Sequence, residues 1–322
     1  MENHIPQFKS KQNADNCTEC GVCYFICPET EIIMDKLNEF YCVEDEVGKW
    51  VDVFAAKTTQ EDIQKIAQDG GIVTTILKYL FDKHKIDAAI VSEYNEKLET
   101  EPKIIFEKEE LLKSSGTRYS ISSQVLPLKD LYNIPLEVQE EKGIYDIDQL
   151  RIAIVATPCQ VRAIQKMKFL NVKPAHVVKY IISLFCFENF DHDKLYEILE
   201  KETNVKPVDI KETYIKKNFF IVTKDNREIE VNIKKLDPSV RSTCHECDEF
   251  TGRFSDISVG SSGAPKGHSM VITRNEKGRK LINELISQNY IEQYVVPDDK
   301  SIEWTDGKVK LFKRMISLKS KK

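Results

Sequence analysis

The run CTECGVCYFICPE packs Cys17, Cys20, Cys23 and Cys27 into eleven residues, and no other feature constrains the chain as strongly. Three thiolates spaced C-x2-C-x2-C wrap one face of an iron–sulfur cubane, while Gly21 and the short side chains let backbone amides approach the sulfides. Zinc ribbons use two separated C-x2-C pairs, so four cysteines in one run followed by proline predict a [4Fe–4S] cluster. In two-cluster ferredoxins the fourth cysteine of such a run serves the other cluster, yet this chain has a single run. The fourth ligand is then Cys27 of the same run, the downstream Cys42, or a group outside this set. Cys27 is favoured, with Cys42 read as a half-buried structural thiol.

Four further cysteines lie in the second half. Cys159 follows a strand in TPCQ, Cys186 ends a strand in LFCFENF, and Cys244 and Cys247 form a C-x2-C pair in STCHECDEF. Taken singly, Cys159 or Cys186 reads as a small buried hydrophobe. The CHEC pair asks for a metal, and strand ends on one edge of an α/β sheet converge. The spacing therefore predicts a second four-cysteine cluster ahead of a zinc site, with His245 a neighbour rather than a ligand.

Nine cysteines with no secretion signal are not a disulfide framework. The opening MENHIPQFKSKQNADNC has no apolar core for a signal peptide, and no apolar run reaches the roughly 18–20 residues of a membrane helix. These features predict a soluble, cytoplasmic protein. A net charge of −5 shows no basic excess that would suggest nucleic acid.

The fold class expected is α/β, a mixed sheet with flanking helices, preceded by a small ferredoxin-like cluster-binding segment. The boundary falls where texture changes, giving residues 1–55 and 56–322. TTQEDIQKIAQ reads as a helix with a Thr N-cap, and GIVTTILKYLFDKH as a second helix after the Gly70–Gly71 break. DAAIVSEY is a buried strand, and RIAIVATPCQVRAIQKM is strand, tight turn and helix. VVKYIISLFCFENF is another strand, and DHDKLYEILEKE a helix capped by Asp191. Short β-rich runs over 205–233 suggest an antiparallel sheet. FSDISVGSSGAP and SMVITR are strands around a Gly/Ser loop, NEKGRKLINELISQ is a helix, and the basic LFKRMISLKSKK is a solvated helix or a docking element.

Three glycine/hydroxyl segments complete the inventory: AQDGGIVTT (67–75), SSGTRYS (114–120) and GSSGAPKGHS (260–269). Gly70 and Gly71 precede a helix whose exposed amides suit a phosphate. Each segment alone reads as a plain turn, but three together suggest a cofactor pocket.

The motifs QKIAQDGGIVTTILKYL, SSGTRYSIS, ATPCQVRAIQKM, LFCFENF and CHECDEFTGRFSDISVGSSGAPKGHSMVITRNEKG resemble the β-subunit family of coenzyme F420-reducing hydrogenases and F420-linked dehydrogenases, from about Thr59 to Ser287. The resemblance implies an α/β flavoprotein that binds FAD and passes electrons between the deazaflavin and a [4Fe–4S] cluster held by Cys159, Cys186, Cys244 and Cys247. It implies pocket residues at Gln68, Asp69, Gly70, Gly71 and Thr74, then Gly116, Thr117 and Tyr119. Thr157, Pro158, Glu188 and Asn189 follow, with Ser261, Ser262, Gly263 and Ser269 last. The front cysteine run departs from the pattern, since hydrogenase β subunits proper generally lack it and larger members carry two.

What the resemblance implies is thus an F420-dependent oxidoreductase subunit with two [4Fe–4S] clusters and FAD, coenzyme F420 as substrate, and a redox protein or subunit as partner. No side-chain acid or nucleophile is required, because ring alignment and exclusion of water do the work. The rival readings are a flavin iron–sulfur reductase of another, tetrapyrrole-type substrate and a flavin-free iron–sulfur electron-transfer subunit.

Overall fold

The computed structural model describes residues 7–8 and 10–320. The opening residues of the expected 1–55 segment and the last two lysines of the basic C-terminal run lie outside them. Among the described residues eleven strands form two sheets. The strands are β1 Asp52–Thr58, β2 Ala88–Tyr94, β3 Thr100–Ile105, β4 Ile152–Ala156, β5 Val178–Leu184, β6 Ile210–Ile215, β7 Phe219–Thr223, β8 Glu228–Val231, β9 Ile257–Gly260, β10 Ser269–Thr273 and β11 Ile291–Gln293. The large sheet has the order β11-β1-β10-β9-β5-β4-β2-β3, and β6-β7-β8 form a small antiparallel sheet.

At the centre, β2, β4, β5 and β9 are parallel neighbours. Antiparallel strands flank them: β3 beside β2, and β10, β1 and β11 beyond β9. The period-2 alternation of a strand is visible in β1. Phe54 and Ala56 face one core with Ile76, Leu80 and Leu281, from helices Ile72–Asp82 and Glu276–Ser287. Val53 and Ala55 face the other side, against Phe312 and Ile316 of helix Ser301–Lys319. Helix Pro158–Phe169 buries Val161 and Ile164 on Ile152, Ile154 and Ile181. The C-terminal basic run is therefore a helix with a buried stripe, and the mixed α/β sheet with flanking helices is as expected.

Strand β4 leads directly into its helix, as the RIAIVATPCQ pattern requires, and Asp191 Oδ1 accepts the Lys194 amide at 3.0 Å to cap helix His192–Thr203. The helix expected over TTQEDIQKIAQ shrinks to Glu61–Gln64. Its expected cap, Thr59, spends its hydroxyl on Asn289 O at 2.5 Å instead.

The front of the chain requires a correction. Residues 11–40 contain three short helices, Lys11–Asp15, Val22–Ile26 and Met34–Phe40, and no strand among the described residues. Met34 and Leu37 are buried in the same core as Leu131, Ile154 and Phe254, so this stretch folds onto the sheet domain. Cys17, Cys20 and Cys23 are exposed. Among the described residues no group of three or more His, Cys, Asp or Glu is placed to hold a metal ion. The ferredoxin-like cluster-binding segment expected from C-x2-C-x2-C-x3-C-P is not formed among the described residues: three of its thiols are exposed, Cys27 is half-buried, and they make no metal-holding group.

No helix among the described residues is long and apolar enough to cross a membrane.

Candidate functional site

The carboxyl ends of β2, β4, β5 and β9 open on one edge of the large sheet, where open α/β sheets place their ligands. β4 ends at Ala156, and Thr157–Pro158 turns into the helix that carries Cys159 in its first turn. β5 ends two residues before Cys186. β9 ends at Gly260 and delivers Ser261, Ser262 and Gly263, and the antiparallel β10 returns from the same edge at Ser269.

Hydrogen bonds draw the glycine/hydroxyl loops onto this edge. The Gly70 amide donates to Ser269 Oγ at 3.1 Å, and the Thr58 amide to Gly70 O at 2.7 Å. Gly71 takes φ +68° and opens helix Ile72–Asp82, with Thr74 in its first turn. Gln68 Oε1 accepts the Thr117 amide at 2.9 Å, beside Gly116 at φ +85°, while Gln68 Nε2 donates to Tyr119 Oη at 3.3 Å. Tyr119 Oη also accepts the Ile215 amide at 2.9 Å, which ties the small sheet to the same loops. Partial desolvation raises the Asp69 carboxyl above its usual range, with the Lys216 ammonium opposing. The Phe190 amide donates to Tyr119 O and the Arg241 amide to Asn189 O, so the segment carrying Glu188 and Asn189 lies between the Tyr119 loop and the stretch that leads to Cys244. Asn189 Oδ1 is buried with no hydrogen-bond partner among the described residues.

Cys159, Cys186, Cys244 and Cys247 are half-buried free thiols. Thr157 Oγ1 and Cys159 Sγ are 3.4 Å apart. Burial pushes the thiols of Cys159, Cys186 and Cys244 up, and Cys186 feels the charge of all three others. Lys319, 2 % exposed, donates to Glu249 O at 2.5 Å and Cys186 O at 3.1 Å. Burial opposes its charge, but the neighbouring sulfurs of Cys186 and Cys247 outweigh this and raise its pKa.

An ion network, buried at Arg162 and Glu249 and open to solvent at Asp248, fixes the loop that follows Cys247. Arg162 reaches Asp248 at 2.6 Å and Glu249 at 3.1 Å, and Arg253 reaches Glu249 at 2.6 Å and Asp248 at 2.5 Å. Although burial opposes it, these two guanidiniums hold the Asp248 carboxyl down to about 2. Arg162 Nη1 also donates to Pro28 O, and Lys166 Nζ to Cys27 O at 2.8 Å and Thr30 O at 2.6 Å. One helix thus holds both the site loop and the front segment.

Sequence reasoning missed Arg162, Asp248, Glu249, Arg253 and Lys319. The acid pair in DEFTGR was the available signal, two carboxylates beside a buried Phe250. Lys319 gave none, because one lysine in a basic tail reads as solvated.

The cofactor expectations are corrected here. Although the four second-half thiols approach one another, no set of three metal-ligating side chains among the described residues is placed to hold an ion, so neither of the two [4Fe–4S] clusters stands, nor the metal-binding reading. No FAD site is formed by the glycine loops among the described residues either. A Cβ on Gly70 would meet Ala56 O and Ser269 N at 2.5 Å each, so its missing side chain serves packing of the turn on the sheet rather than approach of a flavin.

Comparison with known proteins bears on this edge. Residues 53–129 match the family described as the N-terminal part of the coenzyme F420 hydrogenase/dehydrogenase beta subunit, and residues 149–298 match the family described as its C terminus. The chain is 30% identical over 264 residues to the coenzyme F420 hydrogenase subunit beta of Methanosarcina barkeri, covering 80% of this chain and 87% of that one. It is 34% identical over 270 residues to a subunit of the F420H2 dehydrogenase of Methanosarcina mazei, covering 83% and 69%. A chain of the F420-reducing [NiFe] hydrogenase complex from Methanosarcina barkeri superposes with a TM-score of 0.74 at 28% identity, over 87% of this chain and 93% of that one.

Proposed function

Because this chain belongs to the coenzyme F420 hydrogenase/dehydrogenase β-subunit family and is an oxidoreductase of that type, we propose that the loops on the carboxyl edge of its parallel strands seat coenzyme F420. The observation that carries this reading is the convergence of three separate loops on one edge, joined through Gln68, Thr117, Tyr119, Gly70 and Ser269. Gly70, Gly71, Thr74 and Asp69 form one wall, Gly116 and Thr117 a second, and Ser261, Ser262 and Gly263 a third. Thr157, Pro158, Glu188 and Asn189 form the floor, where the side-chain Oδ1 of Asn189 is an acceptor awaiting a donor.

The chemistry asks the chain to orient a ring and exclude water, not to supply a strong acid or base. Reduced coenzyme F420 gives up a hydride and a ring proton, two electrons and two protons in all; a redox partner takes the electrons and the protons pass to solvent. The related hydrogenase chain works within a complex, and a protein or subunit partner of that kind is the acceptor proposed for this one.

The test is oxidation of reduced coenzyme F420 by the purified protein with dichlorophenolindophenol, a two-electron acceptor, as oxidant, NADH being the control donor. Turnover with F420 alone is expected; no turnover, or equal turnover with NADH, overturns the reading. Tyr119→Phe removes the hydroxyl that joins Gln68 to Ile215. With one neutral hydrogen bond worth about 1 kcal/mol, KM for F420 should rise about fivefold.

A further inference from the structure

The opposite edge of the sheet, where the parallel strands begin, holds a wide-mouthed cavity, more open than enclosed, with about 460 Å³ of space. Its walls are Lys85 ahead of β2, Arg151 ahead of β4, His176 and Lys179 around the start of β5, Lys168 in the last turn of helix Pro158–Phe169, and Lys277 of helix Glu276–Ser287. No aspartate or glutamate lines it. Three of these cations are neutralised from behind: Lys85 by Glu284 at 2.8 Å, Arg151 by Asp87 at 2.6 Å and Lys277 by Asp256 at 2.7 Å. His176 shares Asp148 with Lys173. Lys168 and Lys179 make no ion pair of their own among the described residues, although the Asp256 carboxylate paired with Lys277 also acts on Lys168. Lys168 donates to Val178 O at 2.8 Å and Lys179 to His176 O at 3.2 Å, both neutral carbonyls.

We propose that this cavity is an anion site for a small molecule carrying two or more linked phosphate groups. Two ammonium groups with no ion-pair partner of their own, set among four further basic side chains, repel one another until an anion enters. The Lys168 ammonium reports that cost. Burial lowers its pKa first, and the charges of Lys277 and Lys179 lower it further, with only Asp256 opposing. The volume exceeds what a single phosphate fills, and the Tyr180 ring with Lys277 5.3 Å over it offers a flat wall for an organic substituent. The site is separate from the loops at the carboxyl edge, yet shares two elements with them. β5 runs from Lys179 toward Cys186, and one helix carries both Lys168 and Cys159, about 14 Å apart along its axis. Occupancy here would stiffen the helix that also holds the proposed F420 floor.

The experiment is calorimetric titration of the full chain with inorganic tripolyphosphate at constant ionic strength, alongside thermal unfolding. Saturable one-site binding is expected, with a Tm increase of about 5 °C at saturation. Lys168→Met/Lys179→Met should weaken binding at least about tenfold while keeping the anion-free Tm, whereas Lys280→Met, outside the cavity, should bind as wild type. ATP tested in parallel assigns the Tyr180 wall if it binds more tightly than tripolyphosphate. Absence of saturable binding overturns the proposal, as do equal affinity in the double variant and an equal Tm increase with sulfate.

Discussion

Two regions of this molecule carry four cysteines each, and they treat them in opposite ways. In the front segment Cys17, Cys20 and Cys23 are exposed on short helices and turns. There the Val22 amide and the Thr18 hydroxyl hold the Cys20 thiol below its usual range. At the sheet edge Cys159, Cys186 and Cys244 are tucked behind packed loops, and burial drives their thiols upward. The front set is dense in sequence and mostly exposed, while the second is scattered over about ninety residues of sequence, with Cys186, Cys244 and Cys247 gathered near Lys319. Proximity along the chain and proximity in the fold are therefore different quantities, and only the sheet supplies the second.

Two glycines break the comparison most sharply. Gly252 and Gly21 both sit at positive φ, +72° and +74°, one beside each set. A Cβ on Gly252 would fall 2.0 Å from Ser183 Oγ, whereas one on Gly21 would fall 3.3 Å from a Phe25 ring carbon. Gly252→Ala should cost about 4 kcal/mol through overlap and strain together. Gly21→Ala should cost about 1 kcal/mol, from left-handed strain alone. Urea unfolding of the two variants measures both, and equal losses would mean that the two regions are packed alike.

Alkylation comes next in size. With iodoacetamide at pH 7.5, Cys17, Cys20 and Cys23 should react about a hundredfold faster than Cys159 and Cys186, since access favours all three and burial holds back the thiolates of the other two. The sign with pH follows from the shifts. A lowered thiol reaches its plateau rate early, so Cys20 should level off first, while Cys186 should still be accelerating at pH 9. Timed peptide mass spectrometry reads this out, and parallel pH profiles would refute the contrast.

Two lysines give the smaller tests. Lys319→Met leaves the carbonyls of Cys186 and Glu249 without their donor and should lower global stability by about 2 kcal/mol. Lys166→Met removes the donor to Cys27 O and Thr30 O, but only the front segment depends on it. Its global unfolding midpoint should move by less than about 0.5 kcal/mol, while limited proteolysis near residues 16–30 accelerates. A large global loss in Lys166→Met would show that the front segment is part of the main cooperative unit.

The sequence was most informative where a pattern repeats locally. The strand, turn and helix of RIAIVATPCQVRAIQKM, the Asp191 cap and the antiparallel 205–233 region all follow from spacing and capping chemistry, and all are present. The ordered motifs also carried the family, because each loop of the carboxyl edge keeps its own signature. What they could not carry was the meaning of a spacing. C-x2-C-x2-C-x3-C-P fixes how far apart thiols are along the chain, not which way the short helices turn them. Gly70 likewise looked like room for a cofactor, when the space is taken by Ala56 and Ser269 of the neighbouring strands. The network of Arg162, Asp248, Glu249 and Arg253 was invisible because charged residues read as surface until a fold pairs them.

The placement of β1 has a consequence for how the protein is made. β1 lies between β10 and β11, pairing Ala56 with Ser269 on one side and Gln293 on the other. On the ribosome it emerges more than two hundred residues ahead of both partners, which at roughly 5–20 residues per second is a wait on the order of ten seconds or more. Throughout that interval VFAA is an apolar segment with both hydrogen-bonding edges open, the condition under which a nascent chain associates with another copy or with a holdase. Expression yield should therefore respond more to chaperone supply and elongation speed than to the stability of the finished sheet.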